Sequence, residues 1–480
     1  MLRVVPPVPP LSAIEQFGLD VLLDLSRILV TAEGAVDGPS VSVVGASGGA
    51  LGLAEARARH WGIQARDGMV TIERPLLTLA AELAGAAAEQ RTEATDQYGR
   101  VPPGENALVR AGDERDPVVN RMALALRDAT VAAAGRGLIA LLAPWPEGKR
   151  WAMAMTHDLD VVALWPAYSA LRLAQLLSHG DVARAGRVAA HATAALLRNP
   201  VWRAADQLLS VERRHGIRST WFAIAGTPTP SSIWAGDVTY VPESPSARRI
   251  LAAAAAGGHE VGLHGSFASF TFADVFKTQR SRLAAIGTAP LTGVRQHFLR
   301  MRPGVTHAAM VDAGFAYDST FGFSERNGFR LGVADVVPVW DDQAKRTLGI
   351  DEAPFVWMDR ALSKYRHVED PGVWIADALA IASTVRQVDG LWTGIWHPNM
   401  DPALGFPDAP AAFEKLCSSL MSESPWATTL GAAVAWRRAR RQARAVGATA
   451  SGEIRLRAPA GETRLALEGP DGKPMRHQPA

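Results

Sequence analysis

Side chains that bind metals or transfer protons recur at the ends of apolar, strand-like runs in this sequence. The first run, WAMAMTHDL at 151–159, ends beside two carboxylates, Asp158 and Asp160. Later runs end in histidines or carry an arginine: His264, Arg295, His297 and His397. One such residue alone means little, because a lone histidine is more often a core or surface residue. Their repeated placement at strand ends predicts a shared polar site.

Asp158 and Asp160 are two positions apart, so on an extended strand their side chains point to the same side. Two carboxylates this close repel each other unless a cation or an arginine lies between them. A metal held by Asp160 and His264 would relieve the repulsion and leave Asp158 free. The metal would lower the pKa of a water molecule, and Asp158 could accept its proton. Taken alone, the pair is more typical of a turn or a helix N-cap.

The elements that must position these residues alternate along the chain. The strand-like runs are at 151–159, 219–226, 259–266, 292–299, 355–359 and 391–398. Helical stretches lie between them at 203–215, 246–256, 273–286, 305–314 and 372–387. Buried-type strands alternating with helices predict a parallel sheet covered by helices, and about 250 residues of this pattern suit a (β/α) barrel. In such barrels the carboxyl ends of the strands carry the chemistry.

Three zones are visible along the chain. Residues 1–147 mix short strands and helices and predict an N-terminal α/β domain of unknown role. Residues 148–445 carry the alternating pattern, interrupted at 164–200 by two helical stretches. This insertion either walls the active site or serves as a packing or oligomer element. Residues 446–480 form a tail whose alternating segments predict a β-hairpin or a pair of edge strands.

The middle zone resembles the polysaccharide deacetylases, the NodB-homology group of carbohydrate esterases. Residues 156–160 (THDLD) match a variant of the first motif of that family, and residues 258–264 (GHEVGLH) match the first half of its second motif. Residues 293–295 (GVR), residues 313–319 (AGFAYDS) and His397 match later features in the same order. Five motifs in the right order make the resemblance specific.

The resemblance spans roughly residues 148–400 and implies an α/β fold with a distorted (β/α) barrel of the deacetylase type. The segment DQYGRVP at 96–102 resembles an uncharacterised domain that precedes the deacetylase module in one bacterial subgroup. No activity can be assigned to that domain from its sequence.

The resemblance also implies a role for each site residue. Asp158 is expected to be the general base, and Arg295 is expected to hold it ionised. His397 is expected to be the general acid that protonates the departing amine. The cofactor is expected to be a divalent metal, zinc, which polarises the amide carbonyl.

One position departs from the family pattern. The second motif usually reads His-x-x-x-His and supplies metal histidines, but position 268 is alanine. The nearest substitute is His297, one strand over, so the predicted metal ligands are Asp160, His264 and His297. One carboxylate and two imidazoles suit zinc. The alternative is a barrel with a weak or absent metal that serves as a glycan-binding or scaffold protein.

Composition narrows the class of protein. The chain has 480 residues, 48% hydrophobic and 20% charged, with a net charge of +2 that gives no sign of a nucleic-acid partner. The single cysteine, Cys417, excludes an intrachain disulfide and a Cys-rich zinc site. Early prolines argue against a signal peptide, and no run is long and apolar enough to cross a bilayer. We therefore expect a cytoplasmic protein without stable membrane insertion.

The expected function is metal-dependent hydrolysis of an amide: removal of an N-acetyl group from an amino-sugar-containing glycan or glycan precursor. The expected partner is thus a carbohydrate, and a lipid-linked or nucleotide-linked precursor fits a chain without a signal peptide best. Hydrolysis of another non-peptide carbon–nitrogen bond is an alternative, because related barrels accept cyclic amides. The sequence does not predict the oligomeric state.

Overall fold

The computed structural model describes residues 2–31, 38–46, 48–49, 51–135, 137, 139–162, 165–195, 199–287, 290–448, 453–459 and 464–479. Parts of two predicted features lie outside the described residues. They are positions 164 and 196–198 of the helical insertion and positions 449–452, 460–463 and 480 of the tail.

The N-terminal region is built on a four-stranded sheet of order β1-β2-β4-β3, in which only β3 and β4 are antiparallel. The elements of this region are β1 (Arg3–Val4), α1 (Ala13–Ser26), β2 (Ser40–Val44), α2 (Leu53–Ala58), β3 (Ile63–Arg66), β4 (Met69–Glu73), α3 (Arg74–Ala84), α4 (Ala87–Arg91), α5 (Ala107–Ala111), α6 (Val118–Ala134) and β5 (Leu141–Leu142). Ser12 and Glu15 form a capping box that starts α1. Apolar faces of α1, α3 and α6 meet in one core, which contains Leu22, Leu77 and Val119.

The middle of the chain forms a ten-stranded sheet that carries the candidate site. Its elements are β6 (Ala152–Leu159), α7 (Trp165–Ser178), α8 (Val182–Ala195), α9 (Pro200–His215), β7 (Thr220–Ile224), α10 (Pro230–Trp234), α11 (Pro245–Ala256), β8 (Glu260–Gly265), α12 (Ala273–Ala284), β9 (Gly293–Gln296), α13 (Val305–Asp312), β10 (Tyr317–Asp318), β11 (Val337–Asp341), β12 (Arg346–Glu352), β13 (Trp357–Met358), α14 (Pro371–Gln387), β14 (Leu391–Ile395), α15 (Ala409–Met421), β15 (Trp426–Ala427) and α16 (Leu430–Gln442).

The strand order of this sheet is β11-β12-β10-β9-β8-β7-β6-β14-β13, with β15 beside β6. Every pairing is parallel except that of β11 with β12. The chain runs directly from β12 to β13 through residues 353–356, which hydrogen-bond to Phe321 on one side and to Thr393 on the other. The two edges are thereby joined into a distorted (β/α) barrel, and the predicted fold class is confirmed.

All six predicted strands and all five predicted helices overlap observed elements. The elements of this region that were not predicted include α10, β11, β12, β15 and α15. The predicted strand at 292–299 was too long, because β9 ends at Gln296 and a 3₁₀ turn follows at His297–Leu299. The barrel core packs large side chains between sheet and helices, including Met153, Trp221 and Phe413.

The last part of the chain ties the barrel to the N-terminal region. Its strands are β16 (Arg444–Ala448), β17 (Ile454–Arg457), β18 (Leu467–Glu468), β19 (Pro474–Met475) and β20 (His477–Pro479). The strand β17 lies between β16 and β20, and β18 pairs with β5 of the N-terminal region. On α16, the buried Arg437 contacts Asp335 at 2.5 Å and Asp24 of α1 at 3.2 Å.

None of the helices in the described ranges is sufficiently long and apolar to span a bilayer.

Candidate active site

Asp158 lies at the carboxyl end of β6 and is buried against a buried arginine. Nη1 of Arg295 donates a hydrogen bond to Asp158 Oδ1 at 2.7 Å and another to Thr156 Oγ1 at 2.8 Å. Burial raises the pKa of Asp158, but the positive charge of Arg295 in particular outweighs burial, and the net effect lowers this pKa. Asp158 is therefore a carboxylate at neutral pH and can accept a proton.

Arg295 is itself fixed by the neighbouring strands. Its Nε donates to the carbonyl oxygen of Ser319 and its Nη2 to the hydroxyl of Ser319, both at 2.9 Å. Ser319 in turn donates its hydroxyl proton to the carbonyl of Ala353 at 2.7 Å. The guanidinium also lies over the ring of Phe222, 4.4 Å from its centroid. The cation beside Asp158 therefore occupies one defined position.

Asp160, His264 and His297 form a group whose ligand atoms all lie within 4.8 Å of one another. The Oδ1 atom of Asp160 is 3.2 Å from His264 Nε2 and 3.6 Å from His297 Nε2. Adjacent ligands of a tetrahedral zinc ion lie about 3.3 Å apart, because each bond is about 2.0 Å long. This Oδ1 atom is buried and forms no hydrogen bond among the described residues. A buried, unpartnered carboxylate oxygen between two imidazoles fits a cation site.

The second nitrogen of each imidazole faces a hydrogen-bond acceptor. His264 Nδ1 is 2.9 Å from the carbonyl oxygen of Arg295, and His297 Nδ1 is 3.1 Å from Asp237 Oδ1. In the neutral imidazole each Nδ1 therefore carries the proton, which leaves a lone pair on each Nε2 directed at Asp160. Metal-ligating histidines have this arrangement, in which the distal N–H is held by a carbonyl or a carboxylate.

The pKa of Asp160 is consistent with a cation site at this position. Burial raises the pKa of Asp160, but the imidazoles of His297, His264 and His397 outweigh burial and hold the pKa well below its usual range. The backbone of Asp160 is fixed by Thr239, whose hydroxyl donates to the Asp160 carbonyl at 2.6 Å. Asp160 is thus an ionised side chain on a fixed backbone.

His297 lies on a strained turn rather than on a strand. The next two residues have left-handed backbone angles, with φ of 58° at Phe298 and 55° at Leu299, which is unusual for residues with a Cβ. The ring of Phe298 stacks on His297 with centroids 4.1 Å apart and on Tyr98 at 5.2 Å. Arg100 also donates to the carbonyl of Phe298 at 3.1 Å. The DQYGRVP segment of the N-terminal region therefore supports the turn that carries His297.

His397 follows β14 and faces the same group from the opposite side. Its Nε2 is 3.7 Å from Asp160 Oδ2, while its Nδ1 is 2.6 Å from Asp359 Oδ1. Asp359 also accepts a hydrogen bond from the backbone N–H of His397 at 2.8 Å. Burial lowers the pKa of His397, but Asp359 outweighs burial and the net effect raises this pKa. His397 is thereby suited to hold a proton and to deliver it from Nε2.

All six predicted site residues therefore meet at one end of the barrel. The two carboxylates that orient His297 and His397, Asp237 and Asp359, were not predicted. Asp359 ends the predicted strand at 355–359 and carried the same strand-end signal as the others. Asp237 lies in a loop after α10, and nothing in its sequence context marks it. Ala268 lies in an exposed turn after β8.

These residues open into a cleft of about 250 Å³. Its floor contains Asp158, Asp160, His264, His297 and His397. Its walls come from three parts of the chain: Tyr98 and Arg100 from the N-terminal region, Tyr168 from α7, and Arg360, Lys364 and Tyr365 from the segment after β13. A larger cavity of about 750 Å³ lies between α1, β12 and α16, but it contains none of the predicted site residues.

A second group of ligand-type residues lies away from the cleft. It consists of His307 on α13, Asp318 on β10 and Glu352 on β12, all buried. His307 Nε2 is 3.4 Å from Asp318 Oδ2 and 3.3 Å from Glu352 Oε2. Unlike the histidines of the cleft, His307 receives a hydrogen bond at Nδ1, from the N–H of Gly304 at 3.2 Å.

Neither a protein-family model nor a curated protein sequence matches this chain. Among solved structures, a candidate polysaccharide deacetylase from Mycobacterium smegmatis is 19% identical with a TM-score of 0.40, over 61% of this chain and 92% of that one. The peptidoglycan deacetylase PdaC from Bacillus subtilis is 13% identical with a TM-score of 0.28, over 62% of this chain and 94% of that one.

The chain is similar to polysaccharide deacetylases of known structure. It is also similar to BA3943 from Bacillus anthracis, described as a pseudoenzyme of the CE4 family, which is 8% identical with a TM-score of 0.30 over 60% of this chain and 66% of that one. All three TM-scores lie below 0.5. The likeness is therefore a distant one, and the chemistry rests on this chain's own residues.

Proposed function

We propose that this protein is a metal-dependent hydrolase that removes the N-acetyl group from an amino-sugar-containing glycan or glycan precursor. The observation that carries the proposal is the pairing of two features at one end of the barrel. One is the buried, unpartnered Asp160 Oδ1 between two imidazoles whose Nδ1 protons are held elsewhere. The other is Asp158, two residues before Asp160, which Arg295 holds ionised.

The cation, proposed to be zinc, would be held by Asp160, His264 and His297. One carboxylate and two imidazoles form a catalytic type of zinc ligand set, which leaves a coordination position open. When bound there, the cation would polarise the amide carbonyl and lower the pKa of a water molecule. The carboxylate of Asp237 would orient His297 for this task, since partners of this kind fix the ring and its tautomer.

Asp158 is the proposed general base. Its Oδ1 accepts the hydrogen bond from Arg295, so Oδ2, 3.9 Å from His264 Nε2, is the oxygen turned toward the cleft floor. Arg295 keeps this carboxylate ionised despite its burial, because a neutral Asp158 would leave the guanidinium unpaired. Asp158 would take one proton from the attacking water as the oxygen bonds to the acyl carbon.

His397 is the proposed general acid. Asp359 holds its Nδ1 proton, so Nε2 is the nitrogen that exchanges a proton with the substrate. As the carbon–nitrogen bond breaks, Nε2 would protonate the departing amine. The products are acetate and a free amino sugar. The proton taken by Asp158 returns to His397 or to solvent, and the second proton of the water passes to the amine or to solvent as the carboxylic acid ionises.

The test is acetate release from N-acetylglucosamine oligomers and from nucleotide-linked and lipid-linked N-acetylglucosamine. Asp158→Asn should lower kcat by about 10²–10⁴-fold, the usual contribution of a general base. The matched control is Asp206→Asn on α9, an exposed carboxylate paired with Arg249, which should leave kcat unchanged. Metal content of the Asp158→Asn protein should equal that of the wild type.

Two results would contradict the proposal. One is acetate release that Asp158→Asn does not change. The other is the absence of acetate release from metal-loaded protein across all three substrate classes. In the second case, glycan binding that persists after chelation would favour the scaffold function that Ala268 suggests, and hydrolysis of cyclic amides would favour the other enzyme class.

A further inference from the structure

The rim of the cleft carries two cations that have no carboxylate partner. Arg360 and Lys364 both line the cleft, and neither forms an ion pair with any carboxylate in the described ranges. The guanidinium of Arg360 lies over the ring of Phe406 at 5.3 Å and reaches Met400 Sδ at 3.7 Å. The ammonium of Lys364 lies 5.3 Å from the ring centroid of Tyr365. Neither cation therefore has an anionic partner in the part of the chain that the structure describes.

The other arginine that lines the cleft, Arg100, is paired within the chain, as are two arginines outside the cleft lining. Arg100 pairs with Asp96 at 2.6 Å, and Arg172 and Arg184 share Glu369 at 2.7 Å each. On the cleft floor, Asp158 is already paired with Arg295. Arg360 and Lys364 are thus the cations of the cleft lining that no ion pair with a described acidic side chain neutralises.

The two cations are placed by the segment that also holds the proposed general acid. Asp359, which binds His397, directly precedes Arg360, and a π-helical turn follows at Ala361–Tyr365. Such turns are rare and occur often at functional sites. Residues 360 and 364 are four apart, about one turn of this helix, so both side chains reach the same rim.

We propose that the substrate is an anionic amino-sugar derivative whose phosphate or diphosphate ester is bound by Arg360 and Lys364 while its N-acetyl group lies at the cleft floor. This inference rests on the proposed function. Arginine binds phosphate oxygens with two parallel hydrogen bonds, and lysine adds a mobile point charge. Tyr98, Tyr168 and Tyr365 give the same cleft aromatic walls, which suit a sugar ring between the phosphate and the acetamide. A nucleotide-linked and a lipid-linked sugar both present this chemistry.

The first experiment measures kcat/KM on UDP-N-acetylglucosamine, on a short-chain polyprenyl-diphosphate N-acetylglucosamine and on neutral N-acetylglucosamine tetramer. The ratio of anionic to neutral kcat/KM should fall about tenfold in Arg360→Gln and in Lys364→Gln and about a hundredfold in the double variant, since a hydrogen bond to a charged group contributes about 1.5–3 kcal/mol. The control is Lys415→Gln, an exposed lysine on α15, which should leave the ratio unchanged. Preference for the nucleotide or for the polyprenyl substrate identifies the source of the phosphate.

A second measurement separates this inference from the proposed function. Inorganic pyrophosphate is titrated calorimetrically into chelator-treated wild type and into the double variant, so that no metal contributes to binding. Binding that weakens at least tenfold in the double variant supports the anion site even if no substrate is deacetylated. Equal pyrophosphate binding in both proteins, with neutral and anionic substrates deacetylated equally well, would overturn the anion site and leave the deacetylase function standing.

Discussion

Two buried groups in this molecule contain histidine and carboxylate side chains at nearly the same spacing. In the cleft group, Asp160 Oδ1 lies 3.2 Å and 3.6 Å from the Nε2 atoms of His264 and His297. In the second group, His307 Nε2 lies 3.3 Å and 3.4 Å from Glu352 Oε2 and Asp318 Oδ2. By residue type and distance alone, both groups could hold a metal.

The second nitrogen of the imidazole separates the two groups. Both cleft histidines direct Nδ1 at an acceptor, so their neutral forms have a free lone pair on Nε2. The Nδ1 of His307 instead accepts from the Gly304 N–H, which requires the proton to be on Nε2. Burial lowers the pKa of His307, but hydrogen bonds with Asp318 and Glu352 outweigh burial and raise it to about 9, which favours the cation. The cation carries a proton on both nitrogens and so gives up the hydrogen bond from Gly304, whereas the neutral form that keeps this bond carries its proton on Nε2. In neither of these forms does His307 present an Nε2 lone pair to a metal.

The second group supports the first through the backbone. Asp318 and Glu352 directly precede Ser319 and Ala353, the two residues that fix Arg295. One oxygen of each carboxylate is held locally, by Thr320 for Asp318 and by the Phe321 N–H for Glu352. We infer that this group stabilises the strands that position Arg295, and that its contribution to stability depends on protonation. The arrangement of protons, rather than the set of residue types, distinguishes a metal site from a structural network.

The largest expected contrast is in zinc affinity. His297→Ala should weaken zinc binding by more than about a hundredfold, beyond the cost of losing an outer partner of a ligand. His307→Gln, which removes the equivalent imidazole of the second group, should change zinc affinity less than twofold. Competition with a chromophoric chelator measures both. Similar losses of zinc affinity in the two variants would contradict the conclusion that only the cleft group binds zinc.

The next contrast is in the pH dependence of stability. The folded-state pKa of His307, about 9, lies above its unfolded value of 6.5, so its contribution is complete below about pH 6.5 and is lost as pH rises through 9. The pKa of Glu352 is raised chiefly by burial, so its protonation also stabilises the folded state and this contribution is likewise lost as pH rises. The free energy of unfolding should fall by at most about 3 kcal/mol across this window.

Denaturant unfolding of the metal-free protein at pH 6.5 and pH 9 measures this loss. His307→Gln should have a smaller loss than the wild type, because the titrating ring is gone. All other side chains are the same in both proteins, so the difference between the two losses reports on the His307 group. Equal losses in wild type and variant would show that the second group is not linked to a proton.

A smaller effect is expected from the carboxylate that orients His297. Asp237→Asn should weaken zinc binding about 10–100-fold, because the amide holds the Nδ1 proton less strongly. Its counterpart in the second group, Asp318→Asn, should leave zinc affinity unchanged in protein that remains folded by circular dichroism. An unchanged affinity in Asp237→Asn would mean that Asp237 does not set the tautomer of His297.

The smallest effect concerns the N-terminal region. Tyr98→Ala removes the ring that stacks on Phe298 and should weaken zinc binding about three- to tenfold, since aromatic pairs contribute about 0.5–1.5 kcal/mol beyond burial. Trp234→Ala on α10, a fully exposed aromatic residue, is the control. A Tyr98→Ala protein with wild-type affinity would show that the turn of His297 holds without this support.

The parts of the site that lie at strand ends could be predicted from the sequence. Asp158, Asp160, His264 and Arg295 each follow or end an apolar run, and a parallel barrel brings such positions together. The turn at His297 could not be predicted, because its left-handed residues are stabilised by Tyr98 and Arg100, about 200 positions earlier in the chain. The contact of Asp237 with His297 and the contact of Gly304 with His307 could not be predicted either. Both depend on loop conformations that are set by the tertiary structure.

The strands β11 and β12 show the same limit in the fold. Residues of β12 do not alternate between exposed and buried: the first half is largely exposed and the last three residues are buried. The strand therefore lacks the alternating apolar pattern that would mark it in the sequence. Its position is set by pairing with β10 and β11. The barrel core, by contrast, could be predicted from the sequence. The strand β6 is marked by an apolar run, and every one of its residues is buried in the structure.

The most direct test of the account is the number of zinc ions per chain after reconstitution, in the wild type and in the His264→Ala/His297→Ala double variant. We predict one zinc per wild-type chain and none in the double variant. Two zinc ions per wild-type chain, or one that persists in the double variant, would place a metal in the His307 group and contradict the account. A wild-type chain that binds no zinc at all would contradict the metal-dependent hydrolase itself.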